Sequence, residues 1–115
     1  MKITCGVTPH HLLWNEENMR QPDGMLYKMN PPLRAKEDVQ ALLIRLKEGS
    51  IDWIETDHAP HAVGEKLFPP YISGYPSLYI YKDLLDILRA RGMKEGQIDD
   101  MTYYNIKKAF GHKVA

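Results

Sequence analysis

The 115-residue sequence predicts an α/β fold built on parallel strands, and predicts it as one portion of a larger sheet. Three observations carry this reading. Two β-favouring runs, at 3–8 and 51–56, are each followed by a long loop and then by an apolar pattern of helical period. Only Gly49 and Ser50 separate the first helix from the second run, the short return of a βαβ unit. Two parallel strands, which are ordinarily buried on both faces, do not make a free-standing sheet.

Each element has its own warrant. Ile3, Cys5 and Val7 alternate with Thr4, Gly6 and Thr8 in a run that stops at Pro9, a short strand ending near Thr8. Val39, Leu42, Leu43 and Leu46 fall on one face of a helix, with Gly49 placed to stop it. Ile51 to Thr56, rich in Ile and Trp, is the second strand and stops at Asp-His-Ala-Pro. Tyr81, Leu84, Leu85 and Leu88 repeat the helical spacing before Gly92. A third helix starts with Asp99 or Asp100 as its N-cap and runs through Ile106, Ala109 and Phe110 to Gly111.

The connections are lopsided. Pro9 to Ala35 and Asp57 to Pro76 are long loops, and structureless loops beyond about 12 to 15 residues are uncommon unless they serve a function. Both leave the C-terminal ends of strands, and a βαβ crossover puts those ends on one face, where α/β barrels and doubly wound sheets hold their active sites. A complete (β/α)8 barrel takes about 250 residues, so the chain is too short to be one. With Met1 directly on the first strand and Ala115 directly after the last helix, the sequence reads as part of a larger fold.

Lys plus Arg (15) balance Asp plus Glu (15), and a pI near 7.0 gives no electrostatic footprint for nucleic acid or an anionic membrane. The lone Cys5 forms no internal disulfide, and no signal peptide or membrane span is recognisable, so a reducing cytoplasm is the expected compartment. A net charge of zero does little to disperse a small domain, which points to a surface partly covered by other protein.

Three motifs hold the candidate chemistry. Thr56-Asp57-His58-Ala59-Pro60-His61 places a carboxylate and two histidines at a strand end, able to ligate a metal or move a proton; Pro60 excludes a helical zinc-binding pair. The same cluster also reads as a capped turn in which Asp57 bonds backbone amides, and spacing alone leaves both readings standing. Thr8-Pro9-His10-His11 occupies the equivalent place after the first strand. Neighbouring histidines can ligate a metal, but on an extended segment they point to opposite faces, so at most one faces a given site; the plainer reading has one hydrogen-bonded inside and one solvated. Met29-Asn30-Pro31-Pro32-Leu33-Arg34 is a rigid loop end that either aims Asn30 and Arg34 at a small polar ligand or simply leads into the helix.

Taken together, Val7-Thr8-Pro9-His10-His11-Leu12, Asn30-Pro31-Pro32-Leu33-Arg34 and Thr56-Asp57-His58-Ala59-Pro60-His61 resemble, in order and spacing, the C-terminal part of the dihydroorotase family. That family lies within the amidohydrolase superfamily of metal-dependent (β/α)8 barrels. The resemblance runs over roughly residues 2 to 80 and more loosely to the helix end at 105–111. It implies that residues 1–115 are the last two or three βα units of a TIM-type barrel, incomplete as a free chain.

The resemblance further implies reversible hydrolysis of L-dihydroorotate to N-carbamoyl-L-aspartate, a step of de novo pyrimidine synthesis. Asp57 is then the catalytic aspartate of strand eight, which touches the metal centre and moves the proton between the attacking hydroxide and the ring nitrogen. His61 binds the substrate carboxylate, Asn30 hydrogen-bonds the ring, and main-chain groups near Gly74 close over the substrate. His10 and His11 are assigned structural roles. One or two Zn2+ ions are implied, ligated mostly outside this chain, because the family's His-x-His pair, its lysine, its two further histidines and its substrate-binding arginine are absent here.

Gly74-Tyr75-Pro76-Ser77-Leu78-Tyr79 departs from the family loop, with Tyr79 where an acid or amide is usual, and the strands of the small β-sandwich are missing. The isolated chain is expected to be inactive and to need the rest of the barrel as partner. Aspartate carbamoyltransferase and a homo-oligomer are further partner candidates; nucleic acid and membrane are not. Two rivals remain. A sister cyclic amidase, allantoinase or dihydropyrimidinase, usually carries tyrosine at the position of His11 and lacks a counterpart of His61. A non-catalytic dihydroorotase-like partner of aspartate carbamoyltransferase would suit the neutral charge.

Overall fold

The structure, a computed structural model, describes residues 3–111, so the readings tied to Met1 and Ala115 lie outside the described residues. Strand β1 (Gly6–Val7) leads into a short helix α1 (Pro9–Leu13), then two 3-10 turns at Glu16–Arg20 and Gly24–Tyr27. Helix α2 (Lys36–Glu48) returns the chain to strand β2 (Trp53–Ile54), and α3 (Val63–Leu67) interrupts the second loop. Helix α4 (Leu78–Ala90) is followed by α5 (Glu95–Asp99), a π turn at Asp100–Tyr104 and α6 (Asn105–Phe110).

The two strands pair in parallel, Gly6 with Trp53 and Val7 with Ile54, and α2 makes the crossover. Both are shorter than the β-favouring runs predict. Only two residues of each make the ladder, although backbone bonds extend it at both ends: Asp52 N–H to the Cys5 carbonyl and Glu55 N–H to the Val7 carbonyl, both 2.9 Å. The long loops are also less open than predicted, since 9–35 and 57–76 hold short helices and turns.

The alternation of the strands sorts the two faces of the sheet. Val7 and Ile54 turn toward the helices, where they meet Leu12, Leu46, Leu84, Leu88, Met93, Ile98 and Met101 in one buried cluster. On the opposite face the Trp53 ring lies across Gly6. A Cβ at Gly6 would fall 2.3 Å from the Trp53 Nε1, so only glycine admits that ring. Trp53 Nε1–H donates to Glu55 at 3.1 Å, and the ring meets Phe110 at 5.8 Å.

Helices α2 and α4 sit where the leucine spacing predicts. Gly49, at φ 88°, ends α2 in the left-handed region, and Gly92, at φ 91°, follows α4. The third predicted helix starts earlier than Asp99 or Asp100. Both are helical, and the helical stretch begins at Glu95 after Lys94. Burial explains the correction: Ile98 and Met101, three apart, are the residues this stretch buries, so its apolar face begins ahead of the two aspartates. Gln97 Nε2–H donates to the Leu46 and Lys47 carbonyls at 3.3 and 3.0 Å, satisfying the end of α2 from α5. Among the described residues no helix is long and apolar enough to cross a membrane.

Leu84 is fully buried in the core and Ile44 is 58% exposed on α2. Leu84→Ala is expected to lower the unfolding free energy by about 3 kcal/mol in urea titrations, a loss of transfer energy plus an unfilled cavity. Ile44→Ala should stay within about 0.5 kcal/mol of the parent.

Candidate functional site

Thr8 and Asp57 leave the paired strands at the same end of the sheet, and the site is built there. Thr8 caps α1 and Pro9 occupies the first helical turn, so Pro9-His10-His11 is helical and not extended as the sequence reading has it. The His11 backbone N–H donates to Thr8 Oγ1 at 3.3 Å. His11 Nε2 lies 2.8 Å from the Pro31 carbonyl, which can only accept, so that nitrogen carries the proton. Nδ1 lies within hydrogen-bond distance of the Thr8 hydroxyl, at 2.5 Å. These bonds fix the orientation of the His11 ring and tie the loop at Pro31 to the end of β1.

Burial and hydrogen bonding, expected of the same histidine, fall on different ones. His10 is the buried histidine, 1% exposed, yet among the described residues neither ring nitrogen has a partner; the hydrogen-bonded histidine is the half-buried His11. The rings lie 4.6 Å apart. Burial first, then His11, lowers the His10 pKa to about 4, against an opposing pull from the Asp57 carboxylate.

Asp57 adopts φ 47°, an uncommon left-handed conformation for a residue with a side chain. It lines an open recess of about 370 Å3 together with Thr8, His11, Pro31 and Glu55. The turn after it is held through its neighbours. The Ser77 hydroxyl donates to the Thr56 carbonyl, and Leu78 N–H at the start of α4 donates to His58 Nδ1 at 3.1 Å. His58 thus caps a helix. Ala59 N–H bonds the Tyr75 carbonyl at 2.9 Å, and His58 bridges Tyr75 in parallel.

That bridge brings Gly74 against His61. A Cβ at Gly74 would lie 2.7 Å from the Ala59 Cβ and 3.4 Å from the His61 ring, and its φ of 120° also demands glycine. Gly74 N–H donates to the Lys28 carbonyl at 2.9 Å, and Asn30 Nδ2–H to Ser73 Oγ at 3.2 Å. The structure therefore joins the two long connections along one seam, with Gly74 against His61 and Asn30 bonded to Ser73 beside Gly74. Asp57 sits apart from them in its recess, linked by the Asn30–Pro31 step, since Pro31 lines that recess and Asn30 belongs to the seam. Trp14, Tyr27 and Tyr75 pack edge and face beneath, with ring centres 4.7 to 6.0 Å apart.

Sequence reasoning passed over Ser73 and Lys66, and quoted Thr8 and Ser77 within motifs without giving either a role. The Thr-Pro pair carried a readable N-cap signal; the others are single polar residues in loops, with no spacing to mark them. Among the described residues no three His, Cys, Asp or Glu side chains converge on a common point, whereas a catalytic zinc takes three protein ligands. The donors of this chain do not by themselves fit the metal.

No protein-family model matches the chain. Over 67 residues it is 54% identical to a dihydroorotase of Fusobacterium nucleatum, a match to 58% of this chain and 16% of that protein. Over 69 residues it is 58% identical to a dihydroorotase of Macrococcus caseolyticus, covering 60% of this chain and again 16% of the relative. Among solved structures, a D-hydantoinase (dihydropyrimidinase) from Thermus sp. superposes with a TM-score of 0.82 at 26% identity, over 95% of this chain and 26% of its own. A dihydropyrimidinase from Brevibacillus agri gives 0.83 at 25% identity, over 94% and 26%. Both groups are amidohydrolase-superfamily hydrolases, and the structural neighbours are TIM-barrel enzymes. Within that class the sequence likeness of this chain is to dihydroorotase, at 54–58% identity over part of its length. The chain spans about one sixth of those relatives.

A buried neutral histidine makes stability depend on pH. His10 binds a proton below about 6.5 when unfolded but only below about 4 when folded, so the folded state gains its full advantage above 6.5 and loses it as pH falls toward 4. Chemical denaturation across that window is expected to show a loss of about 3 kcal/mol, and His10→Gln should flatten the slope.

Proposed function

We propose that this chain is the segment of a dihydroorotase barrel, its last two or three βα units, that supplies the catalytic carboxylate and one wall of the substrate pocket. The observation that supports this most is the seam: Gly74 lies against His61, and Asn30 bonds Ser73, the residue before Gly74, so the two long connections are joined where the resemblance assigns substrate contacts. In this reading Asn30 bonds the ring, His61 receives the substrate carboxylate and Gly74 closes over it. Asp57, exposed in its recess, takes the proton from the attacking water and delivers it to the ring nitrogen as the carbon–nitrogen bond breaks. In the reverse direction the same carboxylate returns the proton and the ring closes.

One or two Zn2+ ions belong to the proposal as the resemblance implies them. They would draw their ligands mostly from residues outside this chain, with Asp57 as its contribution. A cytoplasmic setting, a role in pyrimidine synthesis and dependence on the rest of the barrel belong to it as well. A second reading, a cyclic amidase of the dihydropyrimidinase kind, rests on shared fold alone: those structures align over 90–95% of the chain at 25–28% identity, against 54–58% identity for the dihydroorotase sequences over 58–60% of it.

The test replaces the corresponding segment of the Fusobacterium nucleatum relative with this chain. The 115-residue chain alone is expected to show no turnover, and the graft to hydrolyse dihydroorotate in preference to dihydrouracil and allantoin. Preference for dihydrouracil would move the assignment to the second reading. In the graft, Asp57→Asn should lower kcat by about 1,000-fold with circular dichroism unchanged, within the range proton transfer contributes. Retained turnover would remove Asp57 from the mechanism.

A further inference from the structure

Lys66 belongs to none of the chemical motifs, yet it is a charged side chain only 3% exposed. Its ammonium donates to the Lys28 carbonyl at 3.0 Å and to the Gly74 carbonyl. The same Lys28 carbonyl accepts from Gly74 N–H at 2.9 Å, and the Lys28 ammonium donates to the Tyr71 carbonyl at 2.6 Å. A buried cation among carbonyls is costly, and burial, then Lys28, pulls the Lys66 pKa below the ordinary lysine value. The two carbonyls it holds are not arbitrary. One lies two residues before Asn30; the other is that of Gly74.

Helix α3 carries Lys66 to this position and begins two residues past His61. Its first turn is closed by Ala62 N–H donating to Glu65 at 2.9 Å, and Ile72 N–H bonds the Glu65 carbonyl at 3.1 Å. All three proposed substrate contacts are therefore strung on chain that Lys66 ties together. We propose that Lys66 is a positioning residue of the substrate pocket, whose ammonium clamps the Asn30 loop to the Gly74 loop and sets their spacing. This rests on the assignment of Asn30 and Gly74 to the pocket made above. A methionine there would match much of the volume but offer no donor; an arginine would keep donors on a bulkier head.

Two measurements decide it. In the 115-residue chain, Lys66→Met should speed hydrogen exchange at Gly74 N–H about tenfold while the Leu84 and Leu88 amides stay as in the parent. In the graft, Lys66→Met should raise KM for dihydroorotate about tenfold with kcat within about threefold, and Lys66→Arg should recover most of that KM. A merely structural role would lower the active fraction, and so apparent kcat, without moving KM. Unchanged Gly74 exchange, or an unchanged KM in an active graft, overturns the clamp. An inactive parental graft would remove the dihydroorotase reading and leave the clamp to the exchange measurement. Faster Gly74 exchange then supports it and unchanged exchange overturns it.

Discussion

The parallel pairing of Gly6–Val7 with Trp53–Ile54 is the constraint on which the rest depends. Parallel strands cannot be joined by a tight turn, so the chain must travel through a helix and return, and α2 does this. Because the strands run the same way, Thr8 and Asp57 leave the sheet at the same end. The register also sends Val7 and Ile54 together into the helical core, which keeps a ladder of only two residue pairs in place. The ladder is thus held by the packing behind it more than by its own hydrogen bonds.

Beyond the strand ends the cohesion changes character. Besides the Trp14, Tyr27 and Tyr75 rings, the loops are joined by polar bonds to main-chain atoms: Ala59 to Tyr75, Gly74 to Lys28, Lys66 to two carbonyls, His11 to Pro31. Such bonds are directional. A greasy contact tolerates a shift of an ångström, whereas a donor aimed at a carbonyl does not, and this suits segments that must present single groups at defined places. Gly74 shows the same demand sterically, since the close approach to Ala59 leaves no room for a side chain.

Much of this was legible in the sequence where burial imposes a period. The leucines of α2 and α4 and their terminal glycines located both helices, and the β-branched runs located both strands. The strands came out too long because a run of β-favouring residues records propensity, while the ladder ends where partners end. The last helix was misplaced because two aspartates resembled a cap, while the weaker pair Ile98 and Met101 marked the true buried face. At the site, the motifs named Asp57, Asn30 and His61, but nothing in their spacing told that Asn30 meets Ser73 or that Gly74 meets His61. The first depends on a bond across 43 residues, the second on the pairing of His58 and Ala59 with Tyr75. The reading of His10 and His11 as one hydrogen-bonded inside and one solvated failed because a threonine cap turned an extended segment into a helix.

The two tryptophans fall in different parts of this architecture. Trp14 is wedged among Tyr27 and Tyr75, where the loops join, and Trp53 lies on the sheet against Phe110. Each is half-buried, so each emits from surroundings that change when its own region loosens. The molecule therefore carries two native fluorophores that report separately, one on the docking of the loops and one on the integrity of the strand pair. Replacing either by phenylalanine leaves the other as a single optical reporter of order in its half of the structure.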